Sequence, residues 1–271
     1  VSPLIDTKTT IKQNNISLNH NLNIDKDWIF NHIFQRQTYN RNYTETWNAG
    51  PEAGIIETDD LAAESLDKYE ITLNKKIDLN NLNMGMETSY GSYKSNRIGI
   101  GKKYIGAHSI FAQYDAHIFN DYNVVMGLRI DKYSDYKYVY SPRIGFMYLY
   151  DKHWKVRTSW GKGFRTPSFM ERFIDYDHSA TFGYKVIGNN DLKAEQSNGI
   201  TAGIEYFNPT IYQASLIVYY TEFVNHIAEY YRGNQEYSYH NINNTYKGLE
   251  IRGKWKASST LSASWEINLI D

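Results

Sequence analysis

The chain has 271 residues, 29 basic and 30 acidic side chains, a formal net charge of −1 and a mean hydropathy of −0.60. Without a basic surplus it is not expected to bind nucleic acid, and without cysteine it holds no disulfide, thiolate metal site or cysteine nucleophile. No apolar run reaches the roughly 18 residues a membrane-spanning helix needs, and the opening VSPLIDTKTT lacks the basic-then-apolar pattern of a secretory signal.

Aromatic residues make up 15% of the chain, with 25 tyrosines against 5 prolines. That balance favours β-strands, and tyrosine also suits the boundary between an apolar surface and water. Period-two alternation begins at once. In NISLNHNLNI, Ile16, Leu18, Leu22 and Ile24 alternate with Ser17, Asn19, Asn21 and Asn23. In NVVMGLRIDKY, Val124, Met126, Leu128 and Ile130 alternate with Val125, Gly127, Arg129 and Asp131. Val156, Thr158 and Trp160 oppose Lys155, Arg157 and Ser159; later Leu249, Ile251, Gly253 and Trp255 oppose Glu250, Arg252, Lys254 and Lys256. No segment shows a comparable helical period.

The pattern predicts strands over 10–24, 28–43, 67–79, 83–94, 105–119, 123–133, 140–150, 153–164, 196–207, 211–225, 246–257 and 260–270. Tight turns built from Asp, Asn, Ser and Pro follow alternate strands, as at Asp25-Lys26-Asp27, Asp151-Lys152 and Asn208-Pro209-Thr210. The intervening connections, 44–66, 95–104, 165–195 and 226–245, are long, and only 134–139 is short. Short turns therefore lie at one end of an up-and-down sheet. Strands of soluble proteins average about five or six residues, whereas strands crossing a bilayer need roughly nine to eleven. The expected fold is all-β: a transmembrane antiparallel up-and-down β-barrel, with about twelve strands in this chain.

Charge placement agrees. A Lys or Arg on the lipid face costs about 2–4 kcal/mol at the bilayer midplane, and Arg129, Lys155, Arg157, Arg252 and Lys254 all fall in the polar phase of their strands. Aromatics sit beside the short turns (Trp28, Tyr122, Tyr150, Trp154, Phe207 and Trp255) and near the far ends (Tyr39, Tyr43, Tyr90, Tyr93, Tyr104, Tyr133, Tyr140 and Phe164), as interfacial girdles. Two places depart from the pattern. WIFNHIFQRQ has apolar residues in both phases, and Lys75 falls in an apolar phase beside a turn, where it can snorkel. The alternative fold is a soluble β-sandwich with the apolar phase inside.

SWGKGFRTPSFME, residues 159–171, closes one alternating strand and opens a long polar segment. Gly161 and Gly163 allow the strand to bend, and Pro167 stops the ladder by withholding an N–H. Arg165 is expected to pair with a loop or wall carboxylate. Four pieces in order carry a family resemblance: Ser141-Pro142-Arg143-Ile144-Gly145, Gly163-Phe164-Arg165-Thr166-Pro167-Ser168, the run from Gly188 through Asn189 and Leu192 to Glu195, and Gly203-Ile204-Glu205-Tyr206, with YKGLEIRGKW following. Over about residues 140–256 the chain resembles the TonB-dependent outer-membrane receptors. Ala194 stands where that family usually has Pro.

The resemblance implies a bacterial outer-membrane receptor that takes up a scarce bulky solute, such as a ferric siderophore, haem or cobalamin, with no covalent chemistry and no cofactor. Ligand would be held by extracellular loops, and the TonB complex would act through a plug domain. Family barrels have 22 strands around a plugged lumen. The plug, its TonB-contacting segment and a terminal aromatic residue are not visible in this sequence. Residues 1–271 are therefore expected to be a partial barrel lacking the plug and the remaining strands.

Three loop features bear on a ligand. Residues 44–66 carry Glu57, Asp59 and Asp60 among six acids and no base, which suits Ca²⁺ or simply a solvated acidic loop. Asp175, Asp177 and His178 lie close together in IDYDHSATFGY, as a metal site or a polar loop. EYYRGNQEYSYH offers Tyr230, Tyr231, Arg232, Tyr237, Tyr239 and His240, which suit an anionic, ring-bearing ligand; the alternative is a girdle and loop. A passive porin would share the wall. An enzyme would need an arranged nucleophile and base, and Ser159, Ser168, His153 and His178 are scattered.

Overall fold

The computed structural model describes residues 5–48, 50, 53–54, 56–99, 101–179 and 183–271, apart from the side chains of 56–60 and 178. Nearly all of them lie in a single sheet. Eight strands run in order: β1 (Ile5–Asn23), β2 (Trp28–Trp47), β3 (Ile56–Ile77), β4 (Asn80–Ser95), β5 (Lys103–Ile118), β6 (Tyr122–Tyr133), β7 (Tyr138–Leu149) and β8 (Trp154–Arg165). A short helix α1 (Phe169–Phe173) and two four-residue strands, β9 (Asp175–His178) and β10 (Tyr184–Ile187), interrupt the series. It resumes with β11 (Glu195–Asn208), β12 (Tyr212–Gly233), β13 (Glu236–Lys256) and β14 (Ser262–Ile270). The twelve long strands each pair antiparallel with the next, β8 with β11 across the insertion. β1 and β14 have one neighbour each, so the sheet is open.

The twelve expected strands are all present, and the structure adds β9 and β10, giving fourteen among the described residues. The long connections expected over 44–66 and 226–245 prove to be mostly strand. β12 and β13 run 22 and 21 residues and meet at a two-residue turn, Asn234–Gln235, with φ of 51° and 60°. Both turn residues adopt the left-handed conformation that a tight hairpin demands.

Among the described residues no second layer covers the apolar phase. On β12, Leu216, Val218 and Tyr220 are 40%, 46% and 47% exposed, and no large side chain among the described residues is fully buried. A sandwich would hide that phase, so its exposure on one unlayered sheet selects the membrane alternative. Near the short turns the outward face carries an aromatic band: Tyr122 stacks on Tyr148 at 4.7 Å and Trp154 meets Tyr206 edge-on at 4.9 Å. The turns position it. Asp25 Oδ1 accepts the N–H groups of Asp27 and Trp28, at 2.8 and 2.9 Å, and Asp151 Oδ1 accepts those of His153 and Trp154, both at 2.7 Å. Each Asp-Lys-x-Trp turn thus delivers a Trp to the first position of a strand.

The opposite phase carries the charge. Arg129 donates to Glu87 at 2.9 Å, to Asp131 at 2.8 Å and to Ser109 at 2.8 Å, while Lys68 bonds Glu87 at 2.6 Å. Both departures from pattern have local explanations. Lys75 lies opposite Trp28 and rests its ammonium 4.7 Å from that ring's centroid. In WIFNHIFQRQ, Asn31 shares the inner phase of Ile29 and Ile33 and bonds Thr72 at 3.1 Å, while His32 shares the outer phase and packs edge-on against Tyr69 at 4.6 Å.

Candidate functional site at the extracellular mouth

The long-loop end is built up from the corner that closes β8. Arg165 lies opposite Glu195 in the β8–β11 register, and its Nε donates to Glu195 Oε2. Its two terminal nitrogens hold both oxygens of Glu171 at 3.0–3.1 Å. Glu195 in turn accepts the backbone N–H of Ile227 at 2.7 Å and lies 2.9 Å from His226 Nδ1. One carboxylate thus joins β8, β11 and β12. Ser168 and Glu171 form a reciprocal capping box: Ser168 Oγ accepts from Glu171 N at 3.2 Å and Glu171 Oε2 from Ser168 N at 2.6 Å. Pro167 is buried beneath this corner, and Phe164 packs 5.5 Å from the Tyr133 ring. Gly163 lies against Ser197, where a Cβ would collide with the hydroxyl.

From that corner the chain crosses the mouth. Phe169, Met170 and Phe173 pack onto Ala62, Tyr93 and Ile98, the one apolar cluster among the described residues. The Phe169 ring stacks on Tyr93 at 5.8 Å, and the Tyr93 hydroxyl donates to the Met170 sulfur at 3.2 Å. Tyr93, expected in the outer girdle, instead carries this packing. Asp175 N donates to Arg97 O at 2.7 Å, and the Arg97 guanidinium sits 4.0 Å from the Tyr176 ring. The chain then returns through β9 and β10, and β10 pairs parallel with β13 at Lys185↔Glu236 to Ile187↔Ser238. This strap over 166–194 therefore links β4 on one side with β13 on the other.

Two carboxyls in the strap's surroundings are depressed. Burial alone would raise Glu171, but hydrogen bonds from Arg165 and Ser168 outweigh it and hold the carboxyl below its ordinary range. The Asp135 carboxyl is lowered chiefly by its hydrogen bond from Arg172, at 2.6 Å.

The six residues expected to meet ligand do not form one site. After Phe223 the pairing of β12 with β13 shifts, and Val224 and Asn225, the latter at φ 58°, bulge out. Beyond the bulge Tyr230 shares a face with His240, ring centroids 4.4 Å apart. Tyr231, Tyr237 and Tyr239 share the opposite face, with Tyr231 5.2 Å from Tyr237 and Tyr184 6.3 Å from Tyr237. Arg232 is held by Glu236 at 2.6 Å.

Glu57, Asp59 and Asp60 belong to β3, but their side chains lie outside the described residues, as does that of His178. Asp177 accepts from Ser179, and among the described residues no three His, Asp or Glu side chains converge on a metal position. Sequence reasoning missed the cations in and beside the strap: Arg172, Arg97 and Lys103. Lys103 lies 4.7 Å and Arg172 4.6 Å from the Phe173 ring. The signal was available in KSNRIGIGKK, four bases with no acid.

A long-stranded sheet with a lipid-compatible outer phase, a charged inner phase and a superstructure at one mouth defines an outer-membrane barrel wall. The family described as TonB dependent receptor-like, beta-barrel matches residues 2–270, so the chain belongs to the TonB-dependent receptors, which are receptors and transporters rather than enzymes or passive porins. An iron-regulated outer membrane virulence protein of Vibrio cholerae is 24% identical over 227 residues, 82% of this chain and 32% of the relative. The siderophore receptor PirA of Pseudomonas aeruginosa superimposes with a TM-score of 0.69 at 15% identity, over 100% of this chain and 60% of that one. A mutant of the ferric enterobactin receptor PfeA of the same organism gives 0.76 at 15% identity, over 97% and 44%. The chain thus spans about a third of its curated relative, and at these identities the structures speak for fold alone.

Proposed function

We propose that this chain is the wall and part of the extracellular mouth of a receptor that takes up a scarce, bulky solute by TonB-driven transport. A ferric siderophore, haem or cobalamin are the solute classes considered. The names of the relatives favour an iron chelate, since one is iron-regulated, one is a siderophore receptor and one is a ferric enterobactin receptor. The observation that carries the reading is the mouth itself. β12 and β13 continue about ten residues past the roughly eleven a bilayer needs, and they present aromatic and basic side chains beside a strap that crosses the opening.

In this reading the remaining strands and a plug domain complete the receptor, and TonB acts on the plug. The open sheet, with one neighbour each for β1 and β14, supports a larger closed barrel. Tyr231 and Tyr237, with Tyr184, supply one aromatic face for ligand, and Tyr230 with His240 the other. Arg165, with Gly163, Phe164, Pro167 and Ser168, holds the mouth in shape rather than touching ligand. A deletion strain grown on single iron or cobalamin sources tests the function. Loss of growth on one iron chelate, restored by the full-length gene, is expected; normal growth on every source would overturn the reading.

A further inference from the structure

The outside of the wall carries a polar notch at the upper edge of its lipid-facing phase. Strand pairing sets one row across four strands: Thr88 on β4 lies opposite His108 on β5, His108 opposite Lys132 on β6, and Lys132 opposite Tyr138 on β7. The next row toward the bilayer, on the same outward phase, is Met86, Ile110, Ile130 and Tyr140. On the other side of the polar row, Gly106 lies opposite Tyr90, and its carbonyl accepts from Ser134 N at 2.8 Å. A Cβ at Gly106 would meet only the Tyr90 ring, at 3.8 Å. The wall is therefore open at Gly106, between the Tyr90–Tyr104 stack and the strand that carries Lys132 and Ser134.

Charge in this row is unbalanced. Lys132 Nζ donates to the Tyr136 carbonyl at 2.6 Å and lies 5.8 Å from the Tyr138 ring, with no carboxylate partner among the described residues. A carbonyl and a ring orient an ammonium without cancelling its charge. The nearby acids are engaged elsewhere, Asp131 with Arg129 on the inner phase and Asp135 with Arg172. Thr88 holds the His108 ring through Nδ1 at 3.1 Å. Other outward cations differ: Arg36 faces Asp67 at 3.7 Å and Lys247 faces Asp271 at 2.7 Å. At the short-turn rim, Lys75 rests on Trp28. The row thus sets one oriented, unneutralised cation, with an imidazole and hydroxyls beside it, against the exposed apolar side chains of Met86 and Ile110. A phosphorylated lipid matches both halves, since its phosphate meets the cation and its chains lie along the apolar row. A soluble anion matches only one.

We propose that the notch around Gly106, His108 and Lys132 binds the phosphate of a lipid on the mouth side of the membrane. This goes beyond the uptake reading and rests only on the barrel wall, so it holds or fails whatever the solute. The test titrates the full-length receptor in detergent with dimyristoyl phosphatidic acid or dimyristoyl phosphatidylcholine, followed by native mass spectrometry. Phosphatidic acid should bind about fivefold more tightly, and the preference should shrink as salt is raised. Lys132→Gln should abolish the preference while leaving phosphatidylcholine binding unchanged; Lys132→Arg should keep it, and Gly106→Leu, which fills the notch, should reduce it. Lys75→Gln, at the opposite rim, should leave it intact. Equal binding of the two lipids by the wild type, or an equal loss in Lys75→Gln, overturns the site. Loss of both lipids together in Lys132→Gln means that Lys132 only shapes the wall, and the proposal falls. Displacement of the lipid by an equal concentration of inorganic phosphate would also overturn it, because the notch would then read the anion alone.

Discussion

At the scale of single residues, the mouth depends on how few groups share each charge. Glu195 serves Arg165, His226 and the Ile227 N–H at once, and its side chain is 9% exposed where that of Arg165 is 46% exposed. Arg165 is itself half-exposed and Glu195 keeps the Ile227 N–H and His226 beside it, so Arg165→Ala should cost about 1 kcal/mol after allowance for screening. Glu195→Ala also strands a buried backbone donor, which adds about 1–3 kcal/mol. Thermal unfolding of the purified receptor in detergent should thus show the larger downward shift for Glu195→Ala; the reverse order would remove Glu195 as the junction. The acids in and beside the strap add a pH dependence. Glu171 and Asp135 both titrate below their unfolded values, so the stability they lend is complete above about pH 4.5 and fades as pH falls through the lowered folded values. Amide exchange at Ser168 and Glu171 should be unchanged between pH 8 and 5, after correction for intrinsic rates, and rise on acidification below about pH 4. Enhanced exchange already at pH 5 would show that some other group controls the strap.

At the scale of elements, the legible parts of the sequence are those where phase is kept. Strands such as Tyr122–Tyr133 and Trp154–Arg165 hold one alternation throughout and sit within two residues of their expected ends. The extensions were read as loops for a physical reason. Asn225 at φ 58° inserts a bulge into β12, and the pairing shift at Tyr43/Thr44 leaves Asp59 as an extra residue in β3, so polar and apolar phases exchange partway along those strands. A count of alternating residues fails there although the ladder continues. The strap was illegible for a different reason. Its five-residue helix is too short for a helical period, though Ser168 and Glu171 spell its capping box. Gly188 shows how tightly it is seated. A Cβ there would lie 2.6 Å from the Arg172 carbonyl carbon and 2.7 Å from its oxygen, and backbone atoms cannot swing aside. Gly188→Ala should displace α1 at a cost of about 1–3 kcal/mol, read as faster proteolysis within 169–187 of the folded receptor. A wild-type cleavage rate would mean the strap is held elsewhere.

At the scale of the whole molecule, one curved sheet must satisfy two solvents. Leu216, Val218 and Tyr220 belong to the lipid side, while Lys68, Glu87 and Arg129 satisfy one another on the inner side. This partition was readable because the two phases differ in chemistry along nearly every strand. The split of Tyr230 and His240 from Tyr231, Tyr237 and Tyr239 is plain alternation, hidden only because 226–245 reads as a loop until the two-residue turn at Asn234–Gln235 is known. The sheet's openness yields the last prediction. β1 spans 19 residues, nearly all exposed, and bonds only to β2; β14 bonds only to β13. The 271-residue chain by itself therefore presents two unpaired strand edges and a broad apolar face, both of which drive association. In plain buffer it should scatter light as large assemblies, and detergent should disperse them by covering the apolar face. The edges should still pair in detergent, leaving dimers or higher oligomers that co-expression with the further strands proposed to complete the barrel removes. A monodisperse monomer in plain buffer would be incompatible with the outward phase meeting lipid, and a strict monomer in detergent would show that β1 and β14 protect their own edges.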